Sequence, residues 1–138
     1  MASRILLINA NRCAAPDPVF PLGLSHLNAA LRRAGHETRL FDLLAEPQPV
    51  EEVLRGYQPD LVGISLRNID NVLIRQQESY FAELLTLSDT VRRAHPCTVV
   101  IGGSGFSIYP KKLLELSGAD FGIQGEGEAS LVALVGAL

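Results

Sequence analysis

Four short stretches of this chain hold residue types able to do chemistry: VVIGGSGFSIYP at 99–110, SLRNIDN at 65–71, NANRCAAPDPVF at 9–20 and QGEGE at 124–128. In the first, an apolar β-forming run ends in Gly102, Gly103, Ser104 and Gly105. Glycines in that position serve either a tight chain reversal or a ligand that approaches the backbone closely. The second stretch offers the Ser65 hydroxyl and the Arg67 guanidinium, which stays protonated and has no lone pair for a metal. In the last, Glu126 and Glu128 lie around the start of a helix, where acidic residues are favoured by the dipole; neither reads as a catalytic acid.

Several chemistries are excluded by what these stretches lack. A dinucleotide site wants G-x-G-x-x-G after the first strand, and that place holds NANRCA. No Gly-Lys-Ser or Gly-Lys-Thr of a phosphate-binding loop occurs. The acids and lysine of a phosphoacceptor receiver are missing, because the first, third and fifth strands end in Asn9, Ser65-Leu66 and Gln124. Hydroxyls and histidines suggest no shared triad. Cys13 and Cys97 match neither a zinc spacing nor a disulfide framework, so reduced thiols are expected.

The elements that position these stretches alternate from end to end. RILLIN (4–9) reads as a buried strand, and PLGLSHLNAALRRAG (21–35) as a helix with Leu24, Leu27, Leu31 and Ala34 at helical spacing and Gly35 as its stop. HETRLFDL (36–43) is a strand, PVEEVLRGY (49–57) a helix, and DLVGISL (60–66) a strand apolar on both faces. The polar segment 67–76 precedes a long helix at 78–94, with Phe81, Leu84, Ser88 and Val91 on one stripe. TVVIGG (98–103), PKKLLELSG (110–118), DFGIQ (120–124) and EGEASLVALVGAL (126–138) complete the pattern as strand, helix, strand and helix. Strands that alternate with helices imply an α/β domain over 1–138: a doubly wound, five-stranded parallel sheet, Rossmann-like or flavodoxin-like, order 2-1-3-4-5, helices on both faces. Ligands of such sheets bind beyond the carboxyl ends of the strands, where the order reverses between strands 1 and 3.

Composition bounds the partners. The 138 residues carry a net charge of −3 with no basic block, which argues against nucleic acid. Arg32-Arg33 and Arg92-Arg93 fall late in helices, where cations suit the dipole. No apolar run approaches a membrane span and the amino terminus is too short for a signal peptide, so a cytoplasmic domain is expected.

Taken in order, RILLINAN, PLGLSHLNAALRRAGHETRLFDL, DLVGISL, VVIGGSG and ADFGIQGEGEASL resemble the N-terminal cobalamin-binding domain of cobalamin-dependent radical SAM enzymes, a class that includes many methyltransferases. The resemblance covers nearly the whole chain. It implies cobalamin across the carboxyl edge of the sheet, with the nucleotide tail beside strands 3 and 4. The residues it assigns to the cofactor are Asn9, Ala10 and Asn11, then Leu22 and Gly23, then Ser65, Leu66, Arg67 and Asn68. The later strands add Gly102, Gly103, Ser104, Gly105 and Phe106, then Gly125, Glu126 and Gly127. Ser104 and the amides of Ser104 and Gly105 would bond ring amides or the phosphate.

The chain departs from the D-x-H-x-x-G motif of methionine synthase and the mutases, whose histidine binds cobalt from below. The loop NANRCAAPDPVFPLG has no histidine. His36 and His95 fall at the amino edge of the sheet, and His26 lies about one turn inside the first helix. Base-off cobalamin without a protein histidine, and with no metal ligand from the chain, is therefore expected. Arg67 is the candidate for the lower face of cobalt, where it would discourage a fifth ligand and favour Co(I); pairing with Asp70, or solvation on a loop, is the alternative role. The resemblance further implies transfer of a methyl group from S-adenosylmethionine by way of methylcobalamin. That chemistry needs a [4Fe–4S] cluster on three cysteines, which this chain cannot supply. A radical SAM barrel carboxyl-terminal to this domain, absent here, is expected as catalyst and partner, and the domain alone is expected to bind cobalamin without catalysis. The rival expectations are a cobalamin-free structural or docking module, and a flavodoxin-like module for a nucleotide or flavin.

Overall fold

The computed structural model describes residues 2–10, 22–66 and 74–138, the side chains of 74–81 excepted. Asn11, Cys13, Arg67 and Asn68 lie outside the described residues. Five parallel strands run β1 Arg4–Asn9, β2 Glu37–Asp42, β3 Leu61–Ser65, β4 Thr98–Gly102 and β5 Phe121–Gly122, in the order β2-β1-β3-β4-β5. The helices are α1 Leu22–Arg33, α2 Val50–Tyr57, α3 Ile74–Ala94, α4 Pro110–Ser117 and α5 Glu128–Ala137.

Strand alternation divides the core into two layers. Leu6, Ile8, Val62, Ile64, Val99 and Ile101 face α2, α3 and α4, where Val53, Leu54, Leu84, Val91 and Leu113 meet them. Ile5, Leu7, Leu61 and Val100 face α1 and α5 and pack with Leu24, Leu31, Leu131 and Val135. The two-sided burial of β1, β3 and β4 is what their continuous apolar runs dictate.

Several boundaries differ from the sequence reading for physical reasons. The α3 helix starts at Ile74 rather than 78, because Arg75, Gln76 and Gln77 are good helix formers with no breaker among them. Ala34 leaves the apolar stripe of α1: the helix ends at Arg33, and Gly35 (φ 92°) turns the chain with its N–H on the Arg32 carbonyl. The β5 strand keeps only Phe121–Gly122, since it pairs on one side and the chain soon turns at Gly125 (φ 77°). That turn delays α5 to Glu128. A 3-10 turn over Phe106–Ile108, unread in the sequence, fills the path from β4 to α4.

The expected stripe on α3 holds for Leu84, Ser88 and Val91, all buried, with Ser88 Oγ donating to the Ser117 carbonyl at 2.8 Å. Phe81 lies outside the described side chains. Arg32-Arg33 and Arg92-Arg93 occupy the last turns of α1 and α3. Among the described residues, no helix is long and apolar enough to cross a membrane.

Candidate functional site

A cleft of about 590 Å³ opens at the carboxyl edge between β1, β3 and β4 and runs under α1 and α5. Its floor is two rows set by strand register. Asn9, Ser65 and Gly102 align across the three strands at the rim, and Leu7, Gly63 and Val100 align one step inward. Positions two apart on a strand share a face, so both rows look toward α1 and α5, the second about 6–7 Å deeper. Gly63 leaves the centre of the inner row without a side chain, and Leu7 leans over it: a Cβ on Gly63 would lie 2.9 Å from Leu7 Cδ2. Leu24 and Leu27 of α1 and Leu131 of α5 form the roof.

The glycines after β4 act in two ways. Gly103 has φ 101°, and a Cβ there would strike the Leu66 carbonyl oxygen and the Ser65 hydroxyl. Backbone crossing therefore requires glycine at 103 whatever the cleft holds. Both Gly102 and Gly103 also line the cleft, so the same bareness that permits the crossing keeps the mouth wide.

The rim is braced. Asn9 is buried, and its Nδ2 donates to Asp42 Oδ1 at 3.3 Å, while the Leu44 N–H donates to the same oxygen at 3.0 Å. Ser107 Oγ donates to the Gly103 carbonyl at 3.1 Å and accepts the Gly125 N–H at 2.9 Å. A residue of the 3-10 turn thus joins the loops after β4 and β5.

Of the residues singled out in the sequence, the cleft brings together Asn9, Leu22, Gly23, Ser65, Gly102, Gly103, Ser104, Gly125, Glu126 and Gly127. It does not bring in four others. Ala10 and Leu66 alternate to the opposite face and join the α2–α3 core. Phe106 folds into that core, beneath Gly122. Gly105 is buried and its N–H already donates to the Leu66 carbonyl at 2.9 Å, so it has no amide to offer a ligand; this corrects the expectation for that amide. Asn11, Arg67 and Asn68 lie outside the described residues.

Sequence reasoning missed the inner row, Leu27, Leu131, Ile123 and Ser107. The inner row had a signal, since subtracting two from 9, 65 and 102 gives 7, 63 and 100. Ser107 had none, because its role depends on the unread 3-10 turn.

The histidines sit away from the cleft lining. His36 Nδ1 accepts the Ser3 N–H at 3.2 Å, and His95 Nε2 donates to the Pro59 carbonyl at 2.9 Å, both at the amino edge. His26 is exposed on α1 and does not line the cleft. Among the described residues, no group of three or more His, Cys, Asp or Glu is placed to hold a metal.

Residues 10–135 match the family model described as the B12 binding domain. The chain belongs to the B12-binding domain family. It is 34% identical to the tryptophan 2-C-methyltransferase of Streptomyces laurentii, over 97% of this chain and 23% of that protein. It is 32% identical to the hopanoid C-3 methylase of Methylococcus capsulatus, over 89% of this chain and 25% of that protein. Among solved structures, the radical S-adenosylmethionine methyltransferase TsrM from Kitasatospora setae, with cobalamin and a [4Fe-4S] cluster bound, superposes with a TM-score of 0.86. That match is at 34% identity and covers 99% of this chain and 26% of that one. This B12-binding domain spans about a quarter of the length of these relatives. Its residues fit the cofactor of its family: a bare carboxyl edge at Gly102 and Gly103, a polar rim and a hydrocarbon interior.

Proposed function

We propose that this domain holds cobalamin base-off at the carboxyl edge of its sheet, with the nucleotide end in the cleft beside β3 and β4 and no histidine of the chain on cobalt. The single observation that carries the reading is the double row, Asn9–Ser65–Gly102 over Leu7–Gly63–Val100, which makes a deep slot where the strand order reverses. The rim groups of Asn9, Ser65 and Ser104 orient the polar parts of the cofactor, and Leu27 and Leu131 exclude water from the buried end. Glu126 and Gly127 border the mouth, where the backbone passes close to the ring.

The domain serves, in this reading, a longer polypeptide with a radical S-adenosylmethionine barrel and an iron–sulfur cluster, which together methylate a substrate. The names and lengths of the relatives support it. Cobalamin supplies a cobalt centre able to take a methyl group from S-adenosylmethionine and give it up again. Arg67, which lies outside the described residues, is the residue proposed to act beneath that centre; Arg67→Ala shifts the reduction of the bound cofactor, and an unaltered potential and spectrum would count against the role. The reducing cytoplasm is the proposed setting, in keeping with the free thiol of Cys97.

Titration of the chain with hydroxocobalamin, followed by visible absorbance, tests the reading. Saturable binding by the wild type, and its loss in a folded Leu27→Trp variant whose indole fills the cleft, are expected. Undiminished binding by that variant would move the cofactor to another surface.

A further inference from the structure

The chemistry of the cleft changes with depth. Asn9, Ser65, Ser107 and Glu126 give the rim donors, acceptors and charge. The inner end is formed by Leu7, Gly63 and Val100 of the sheet and by Leu27 and Leu131 of the helices, while Ile123 follows β5 at the level of Gly102. Among the described residues, no polar side chain lines that inner end. The strands behind it are parallel-paired on both sides of β3, so their backbone groups are engaged in the ladders.

We infer that this domain discriminates among cobamides by their nucleotide base, taking a benzimidazole and rejecting a purine. The inference rests on the proposed seat of the nucleotide end in the cleft. A dimethylbenzimidazole released from cobalt presents a carbocycle and two methyl groups to the leucines, and has only one ring nitrogen free for a partner. Adenine presents several ring nitrogens and an exocyclic amine around its perimeter. Buried against hydrocarbon, those groups lose their hydrogen bonds to water and gain none. Discrimination by unpaired polar groups is steeper than discrimination by shape alone.

The test compares three probes on the wild-type chain: cobalamin, its adenine-based analogue, and cobinamide, which has no nucleotide. Each dissociation constant is corrected for the base-off fraction of the free corrinoid, measured at the same pH. Cobalamin binding at least tenfold tighter than the adenine analogue, with cobinamide weaker than cobalamin, is expected. Leu27→Gln, which puts an amide at the partly exposed flank of the inner end, narrows the gap between the two bases. Equal affinities for the two bases overturn the inference. Cobinamide as tight as cobalamin also overturns it, while leaving the cobalamin reading intact. Failure of all three probes to bind overturns both.

Discussion

Ser107 Oγ accepts the Gly125 N–H at 2.9 Å, across a loop-to-loop gap that no strand pairing spans. The same hydroxyl donates to the Gly103 carbonyl at 3.1 Å, so one side chain holds the mouth of the cleft between the loops after β4 and β5. Ser107→Ala removes both bonds at a cost of about 1–2 kcal/mol in stability. It also loosens both loops and weakens cobalamin binding by about three- to tenfold, as under 1.4 kcal/mol of lost positioning implies. Ser107→Thr keeps the hydroxyl and recovers most of the affinity. Absorbance titrations of the two variants decide this, and equal affinity of Ser107→Ala and wild type would contradict it.

Two positive-φ glycines line the same mouth but face different surroundings. A Cβ at Gly103 strikes the Leu66 carbonyl, whereas a Cβ at Gly125 (φ 77°) meets nothing within 4 Å. Gly125→Ala bears only the backbone strain, about 1–2 kcal/mol. Gly103→Ala bears strain and collision together, about 3 kcal/mol or more. Urea denaturation of both variants tests the ranking, and equal losses would refute the collision.

The order of strands was legible because β1, β3 and β4 are apolar on both faces and each is followed by a helix-period segment. The rim of the site was legible for the same reason: Asn9, Ser65 and Gly102 end their strands, and strand ends are visible in sequence. The inner row lay hidden under the label of core, since Leu7 and Val100 read as ordinary packing residues until register aligns them with Gly63. Phe106 and Gly105 were misplaced because the chain after Gly103 winds into a 3-10 turn that no periodicity announces. Ala10 and Leu66 follow the simpler rule that neighbours on a strand face opposite ways.

Cys97 sits just before β4 with a half-buried thiol. Burial first, and the Asp120 carboxylate second, push it up from 9.0 to about 11, with Arg92 acting the other way. A raised value means that the folded chain holds a proton the unfolded chain has released. The resulting stability is whole below about pH 9 and is lost as pH rises toward about 11. The denaturation midpoint is expected to fall over that window, and Cys97→Ala to flatten the fall. An identical pH profile for variant and wild type would contradict the assignment.

Tyr57 ends α2 with its hydroxyl oxygen buried and, among the described residues, with no well-formed hydrogen bond, only a weak contact to the Ile5 backbone. Desolvation, then the nearby Glu37 carboxylate, raises the phenol above its ordinary value. Replacing a buried hydroxyl that has only a weak partner by hydrogen removes more desolvation cost than bonding, so Tyr57→Phe is neutral or stabilising by up to about 1 kcal/mol. A lowered melting temperature in Tyr57→Phe would show that the Ile5 contact is a full hydrogen bond.

The most direct measurement of the central claim is the EPR spectrum of the domain's complex with reduced cob(II)alamin. In the proposed reading the base lies inside the apolar cleft and His26, His36 and His95 are all away from its lining, which leaves no nitrogen on cobalt. The account predicts a cobalt signal without nitrogen superhyperfine splitting. Splitting from a single nitrogen would place a histidine or the cofactor's own base on the metal, and would contradict it.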